Sequence, residues 1–151
     1  MATRFMHPTT DSERTLIVLT ESHVNAVLLT LGRLIFGGYW VYSGLEHFIT
    51  HATMAPYAAM HGVPAPDLAV LGTGALLLAG GVSIMTGFVP RVGATLIAIF
   101  LIGVTPIMHA FWRDADAVQR ANDLVNFTKN IGLLGGVCFV AALPEPWSDR
   151  R

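Results

Sequence analysis

Charged residues are scarce in this chain, since Asp, Glu, Lys and Arg together make up 13% of its 151 residues. Soluble domains usually carry about 25%. The 9 Lys and Arg do not outnumber the 10 Asp and Glu, which leaves no basic excess for binding nucleic acid. The chain has 1 cysteine, so an internal disulfide and a metal site built from thiolates are both excluded.

Apolar residues make up 53% of the chain, and the mean hydropathy is +0.57. A chain this apolar is not disordered. The apolar residues form four long runs, at 24–47, 68–89, 91–112 and 122–143. Each run can cross a hydrocarbon core, which takes about 20 helical residues, and none alternates as a membrane β-strand does. The sequence therefore predicts an all-α integral membrane four-helix bundle surrounded by the lipid bilayer.

Polar segments flank and connect the predicted spans. Residues 1–23 form a polar N-terminal segment in which the apolar run at 16–19 allows a short surface helix, and residues 144–151 form a C-terminal tail. The longest connection, at 48–67, contains Pro56, a residue suited to the first turn of a helix, and Gly62, suited to its end. We therefore expect a short interfacial helix over Pro56–His61 in this connection.

The arginines outside the spans predict the orientation. If both termini are cytoplasmic, 5 arginines lie inside and 2 lie outside, as the positive-inside rule prefers. The 48–67 connection and the connection between spans 3 and 4 then lie on the outer side. Four aromatic residues include candidate interface anchors, and Trp40 is alternatively a core residue. The four are Tyr39, Trp40, Trp112 and Trp147.

Ionisable and amide side chains occur inside the predicted spans, where they are costly and therefore functional by default. They are Arg33, Glu46, His47, His109, Asp123, Asn126, Lys129 and Asn130. In the predicted orientation all of them except Arg33 lie in the outer half of the bundle. Arg33 precedes Glu46 by about 20 Å along the helix axis, which places its charge near mid-membrane. The pattern predicts one polar pocket near the outer face.

Several interpretations of these polar residues remain open. Glu46 and Lys129 are either proton-handling groups or a buried ion pair that fixes helix register. His109 either hydrogen-bonds a carbonyl freed by Pro106 or acts as a ligand, and with His47 it offers two axial ligands for a haem. Small residues spaced four apart indicate either packing within the bundle or a seam between copies in a homo-oligomer. They are Ala75, Ala79, Ser83 and Gly87 in span 2, and Gly132 and Gly136 in span 4.

Four segments of the sequence resemble the DoxX family of small four-helix membrane proteins. They are LGRLIFGGYWVYSGLEHF at 31–48, M-x5-M-H-G-V-P-A-P at 54–66, MHAFW at 108–112 and DLVNFTKNIGLLGG at 123–136. The resemblance covers about residues 28–142 and implies a membrane component of an oxidoreductase. Some members resemble the quinone-reducing subunit of thiosulfate oxidation, and others associate with thiol and oxidative-stress enzymes. Members usually carry an acidic residue where this chain has Leu77, which puts a mechanism through that carboxylate in question.

The residues and the resemblance together predict a quinone-linked membrane subunit of the bacterial inner membrane that takes electrons from a redox partner. A quinone carbonyl requires a hydrogen-bond donor and a proton source, and we assign these catalytic roles to Glu46, His109 and Lys129. The residues expected to contact the cofactor are Arg33, Trp40, His47, Asn126 and Asn130. The alternatives are a non-catalytic accessory subunit of a larger membrane complex and a small transporter or lipid-handling protein that uses the same pocket.

Overall fold

The computed structural model describes residues 10–144 and 147, without the side chains of residues 13 and 14. The helices are α1 (Asp11–Ile49), α2 (His51–Met60), α3 (Pro66–Thr86), α4 (Pro90–Met108) and α5 (Ala117–Ala142), with a 3-10 turn at Phe111–Arg113. Four of them, α1, α3, α4 and α5, are long and apolar enough to cross a membrane. The predicted all-α membrane bundle is confirmed, and the chain is a multi-pass membrane protein.

The two ends of the bundle are distinguished by their connections. At one end α1 and α4 finish, α3 and α5 begin, and α2 lies in the connection from α1 to α3. We call this end the α2 end. The opposite end contains the tight turn between α3 and α4 around Gly87, and we call it the Gly87 end.

Helix α1 begins at Asp11 and continues without a break through residue 24, where the sequence predicted the first span to begin. Its 39 residues measure about 58 Å at about 1.5 Å per residue, nearly twice the thickness of a hydrocarbon core. The side chains described between residues 11 and 25 are all exposed. The first part of α1 therefore extends beyond the helices that pack against its second part.

The short helix in the first long connection exists, but its bounds differ from the predicted Pro56–His61. Helix α2 covers His51–Met60, and Pro56 lies inside it rather than in its first turn. The turn at Gly62, where φ is 76°, ends this segment as predicted. Ala55 and Ala58 are buried together with Val70 of α3, which fixes α2 across the end of the bundle.

Helices α1 and α3 touch through glycines. A Cβ added to Gly81 would lie 2.6 Å from the backbone N of Val41, and one added to Gly37 would lie 2.7 Å from the backbone N of Met85. Gly44 and Gly74 approach each other in the same way, closer to the α2 end. No larger residue fits without moving a backbone, so these glycines fix the distance between the helices and the rotation of α1.

The small residues that the sequence singled out in span 2 do not form this contact. Ala75 and Ala79 are exposed, and the contact with α1 uses Gly74 and Gly81 instead. In α5, a Cβ on Gly132 would have nothing within 4 Å, while Gly136 lies against the Phe36 ring. Half of the predicted stripe residues are therefore exposed, whereas Ser83 lies against Gly93, Gly87 against Arg33 and Gly136 against Phe36.

The core lies between the four spanning helices and includes two tryptophans. Its buried members are Trp40, Leu77, Ile84, Ala94, Ile97, Leu101, Val137 and Trp147. The expectation that Trp147 is among the interface anchors is wrong, since the residue is only 4% exposed and packs in this core. Trp112, in contrast, is exposed. Of the two alternatives for Trp40, the core position is the observed one.

Candidate functional site

A cavity of ≈ 530 Å³ lies between the spanning helices toward the α2 end. Tyr39, Trp40, Ser43 and His47 line it from α1, and Met54, Tyr57 and Ala58 line it from α2. The remaining lining residues are Val63, Ala69, Val70, Thr73, Leu76, Leu77, Ile99, Phe100, Gly103, Val104, Ile107, Met108, His109, Asn126, Lys129 and Asn130. The volume falls within the range of about 300–1,000 Å³ that is usual for small-molecule sites.

The cavity has apolar walls and a polar side. Aliphatic and aromatic residues of α3 and α4 form most of the walls, among them Leu76, Ile99 and Phe100. The polar side is formed by the first half of α5. Of the described residues that line the cavity, Lys129 alone carries a charge when histidine is neutral, and none is a carboxylate. The cavity therefore favours an apolar ligand that carries hydrogen-bond acceptors.

Trp40 lies at the centre of the aromatic packing beside the cavity and is 2% exposed. Its ring meets those of Tyr39, Phe36 and Phe100 edge to face, at centroid distances of 5.0, 6.0 and 6.4 Å. Its Nε1 is buried and has no hydrogen-bond partner among the described residues. A buried donor without an acceptor costs about 1–3 kcal/mol, which an acceptor on a ligand would relieve.

The polar residues of α5 are linked to one another and to α4. Lys129 Nζ donates to Asn126 Oδ1 at 2.9 Å, and Asn126 Nδ2 donates to the Asn122 carbonyl at 3.1 Å. One helical turn further on, Asn130 Nδ2 donates to the buried Thr105 Oγ1 at 3.2 Å. These bonds orient the amide side chains, because each amide is held by a partner on a rigid helix.

His47 has a defined hydrogen bond within α1. Its Nδ1 lies 2.8 Å from the Ser43 carbonyl, which only accepts, so Nδ1 carries the proton. The ring contacts Phe100 edge to face, and its Cβ would touch a side chain added at Gly74. In the neutral imidazole Nε2 is then the acceptor. The ring of His47, a residue that lines the cavity, is therefore held in a fixed orientation with Nε2 as its acceptor.

His109 ends α4, and its imidazole bonds the carboxylate of Asp123 on α5. The distance from His109 Nδ1 to Asp123 Oδ1 is 3.2 Å, and Gln119 Nε2 donates to Asp123 Oδ2 at 3.1 Å. Asp123 is 3% exposed, and each of its two oxygens accepts a hydrogen bond from a donor inside the bundle. The sequence left open that His109 bonds a carbonyl freed by Pro106. In this structure its Nδ1 bonds Asp123 instead.

Asp114, in the connection before α5, joins the same cluster. Its side chain is within hydrogen-bonding distance of the Asp123 carboxyl, and its Oδ2 is buried without a donor. Burial, and after it the charge of Asp123, raises the pKa of Asp114 above its ordinary value. Tyr57 of α2 lies against Gln119, and burial together with the two carboxylates raises the pKa of its phenol.

Glu46 is the predicted catalytic residue that the cavity does not include. At about 100° per residue, Glu46 lies about 180° around α1 from Gly37, the glycine that must face α3. Trp40 and His47 are turned toward the cavity by the same rotation. The ion pairs among the described residues do not include Glu46–Lys129, and Lys129 Nζ donates to Asn126 Oδ1. The predicted direct pair is therefore wrong.

Arg33 also lies outside the cavity. Its guanidinium packs over the turn between α3 and α4, where a Cβ on Gly87 would come within 2.7 Å of Nη1. Arg33 is half-buried against the protein, as expected, but at the Gly87 end rather than near mid-membrane. The depth was misjudged because α1 begins 13 residues before the predicted span. Six of the eight predicted site residues line the cavity: Trp40, His47, His109, Asn126, Lys129 and Asn130.

Four members of the His109 cluster were not predicted as site residues: Asp114, Gln119, Tyr57 and Asp123, which the sequence indicated only as a polar residue of the fourth span. In the sequence, Asp114 is one of two acidic residues that offset the arginines of a polar connection. Its contact with Asp123 depends on how the 3-10 turn Phe111–Arg113 returns the chain to α5. No periodicity marks such a contact, because the connection is irregular.

Comparison with protein families gives one match. A family model described as DoxX matches residues 28–110, which is more than half of the chain. The matched segment runs from α1 to the end of α4 and stops before α5 and its polar residues. Searches of curated proteins and of solved structures gave no significant match. By the extent of the family match, this four-span chain belongs to the DoxX family.

Proposed function

We propose that this protein is a membrane subunit of a quinone-linked redox system and that the cavity at the α2 end binds the head group of a quinone or quinol. The observation that carries the proposal is the apolar cavity itself, which is lined by Trp40, a residue whose buried indole N–H has no acceptor among the described residues. A quinone ring is flat and apolar, and its carbonyl oxygens accept hydrogen bonds.

The polar groups beside the cavity suit the two oxidation states of such a ring. Lys129 supplies an ammonium donor for a carbonyl oxygen, and hydrogen bonds from charged donors are worth about 1.5–3 kcal/mol. The acceptor Nε2 of His47 suits the hydroxyl of the reduced form. His109, backed by Asp123, is a titratable group that can hold a proton at the cavity. Glu46 and Arg33 have no part in this proposal, because neither lines the cavity.

A bound quinone would supply two-electron redox chemistry, and the electrons would be exchanged with a partner protein. The protein's own residues bind and orient the ring and hold protons next to it. Apolar walls from α3 and α4 exclude water, which strengthens each hydrogen bond inside the cavity. Membership in the DoxX family supports a membrane protein with this kind of role and leaves the electron donor open.

The proposal is tested by binding of a short-chain benzoquinone to the purified protein in detergent, measured by calorimetry. Trp40→Phe keeps an aromatic ring in the core and removes the N–H donor. We expect roughly five-fold weaker binding, since one neutral hydrogen bond contributes about 1 kcal/mol. Lys129→Met should weaken binding by more than about ten-fold, because the lost donor is charged.

The matched control is Trp112→Phe, which makes the same change at an exposed tryptophan that does not line the cavity. It should bind the quinone as the wild type does. Absence of saturable binding to the wild type, with both benzoquinone and naphthoquinone probes, would contradict the proposal. Unchanged affinity in both Trp40→Phe and Lys129→Met would show that the quinone does not bind in this cavity.

A further inference from the structure

Two carboxyl groups meet at the α2 end of the bundle. Asp114 and Asp123 are within hydrogen-bonding distance of each other, although carboxylate oxygens are acceptors only. Asp123 has a donor at each oxygen, from His109 and Gln119, whereas Asp114 Oδ2 is buried without one. Two carboxyls in contact do not both ionise, as in paired catalytic aspartates. One of the two carboxyls is therefore expected to keep its proton where an isolated aspartate would lose it.

The charged and titratable neighbours do not replace that proton. Arg120 of α5 lies beside Asp114, but its Nε and Nη2 donate to the backbone carbonyl of Asp114 at 3.0 and 2.7 Å. From α2, His61 favours the ionised form of Asp114, and Tyr57 faces both carboxyls through Gln119. From α4, His109 bonds Asp123. These influences leave the pKa of Asp114 raised, because burial and the Asp123 charge outweigh Arg120 and His61.

The cluster connects the cavity with the surface. His109 lines the cavity and bonds Asp123 through Nδ1. Asp114 is half-buried and follows the last residue of the third candidate span, so it lies at the edge of the membrane-spanning region. A proton that His109 receives through Nε2 is matched by one that Nδ1 releases to Asp123 and by one that Asp114 releases to water, so that the carboxyl pair again holds a single proton.

We infer that Asp114 and Asp123 hold one shared proton and that His109 passes it between the cavity and the surface at the α2 end. The shared proton follows from the geometry of the two carboxyls. Its delivery to the cavity rests on the proposed function, because a quinone site is what would take up or release protons there. His109 is a group of the cavity, whereas Asp114 and Asp123 act through it.

The shared proton is tested by infrared titration of the purified protein in nanodiscs. The wild type should show one protonated carboxyl that persists above the ordinary aspartate pKa of about 3.9. Asp114→Asn and Asp123→Asn should each abolish this same band, and the double variant should remove nothing more. Two independent carboxyls would instead lose separate bands, which would overturn the shared proton.

The matched control is Asp116→Asn, two residues from Asp114. Asp116 Oδ1 accepts from the backbone N–H groups of Val118 and Gln119 as the N-cap of α5, and Asn serves this role about as well. This variant should keep the band. Circular dichroism confirms that each variant is folded, and an altered spectrum in Asp123→Asn leaves Asp114→Asn as the deciding variant.

The link through His109 is tested by adding a short-chain benzoquinone to the same samples. Binding should change the carboxyl band in the wild type, and in His109→Gln the band should remain but no longer respond. A wild-type band that ignores bound quinone would overturn the link. Absence of quinone binding would overturn the proposed function and the delivery step with it, while the shared proton is decided by the titration alone.

Discussion

Protonation of Asp114 decides whether its buried Oδ2 at the α2 end remains an unsatisfied acceptor. Both oxygens of Asp123 have donors, but Oδ2 of Asp114 has none among the described residues. An ionised Asp114 therefore keeps an unsatisfied charge beside a second carboxylate. The neutral form removes the repulsion and supplies a donor. The protonation state of this residue consequently enters the stability of the folded chain.

We predict that Asp114→Asn stabilises the protein at high pH and not at low pH. The pKa of Asp114 is raised in the folded state, so the folded state binds more protons than the unfolded state between the ordinary pKa and the raised one. Stability of the wild type then falls as pH rises through that interval. Asparagine imitates the protonated form and avoids the loss.

Thermal unfolding in detergent, followed by circular dichroism across a pH series, measures this effect. The gain of Asp114→Asn over the wild type should be absent below the ordinary aspartate pKa and full above the raised one. Asp116→Asn should give no comparable gain. A gain that is equal at every pH would show that lost charge repulsion is not its cause.

At the scale of elements, the rotation of α1 determines which polar residues meet. Gly37 and Gly44 must face Gly81 and Gly74, since a Cβ on any of them would meet α3 or α1 backbone or side-chain atoms at 2.6–2.8 Å. This contact turns one side of α1 to the cavity and directs Glu46 elsewhere. The assembly of the site therefore depends on glycines that do not line the cavity.

We predict that Gly81→Ala destabilises the protein, because its Cβ would lie 2.6 Å from the backbone N of Val41. Overpacking of this kind costs about 1–3 kcal/mol. Gly72→Ala is the control on the same helix, since a Cβ there has nothing within 4 Å. It should be neutral or slightly stabilising, as expected for Gly to Ala in a helix. Equal thermal midpoints of the two variants would refute the close contact.

Sequence periodicity was sufficient for the spans and for the polar stripe of α5, because hydrocarbon and helix geometry impose both. Asn126, Lys129 and Asn130 repeat at helical spacing, and they line one cavity. The position of Glu46 was not predicted correctly because the direction of its side chain depends on which glycines of α1 and α3 form the contact between the helices. The sequence contains several small-residue stripes that could form it. Asp114 was missed because an irregular connection carries it. Periodicity constrains regular helices and says little about such a connection.

At the scale of the whole molecule, the two ends of the bundle differ in charge and structure, and these differences bear on orientation. The Gly87 end carries Arg33 and Arg91, and Arg91 Nη2 donates to the Leu143 carbonyl at 3.5 Å. The α2 end carries the carboxyl cluster and helix α2. The α2 end also carries Arg113 and Arg120, so the orientation depends on the count of 5 arginines against 2 in the sequence, by which the positive-inside rule favours the Gly87 end on the cytoplasmic side.

We predict that cysteines at the two ends label from opposite sides of the membrane. Thr53 of α2 and Phe88 of the α3–α4 turn are both exposed, and Cys138→Ser provides a thiol-free background. An impermeant thiol reagent applied to intact cells should label Thr53→Cys and spare Phe88→Cys until the cells are opened. The reverse pattern would contradict the predicted orientation, and labelling of both in intact cells would contradict the placement of these ends on opposite sides.

The position of Cys138 allows the wild-type chain to be spin-labelled at one defined site. It is the single thiol of the sequence and is exposed on α5, one turn from Gly135, where a Cβ would have nothing within 4 Å. A nitroxide attached there puts one unpaired spin on each copy without any substitution. Any dipolar coupling between spins in a nanodisc must then arise between two copies, and its strength reports how closely their α5 helices approach.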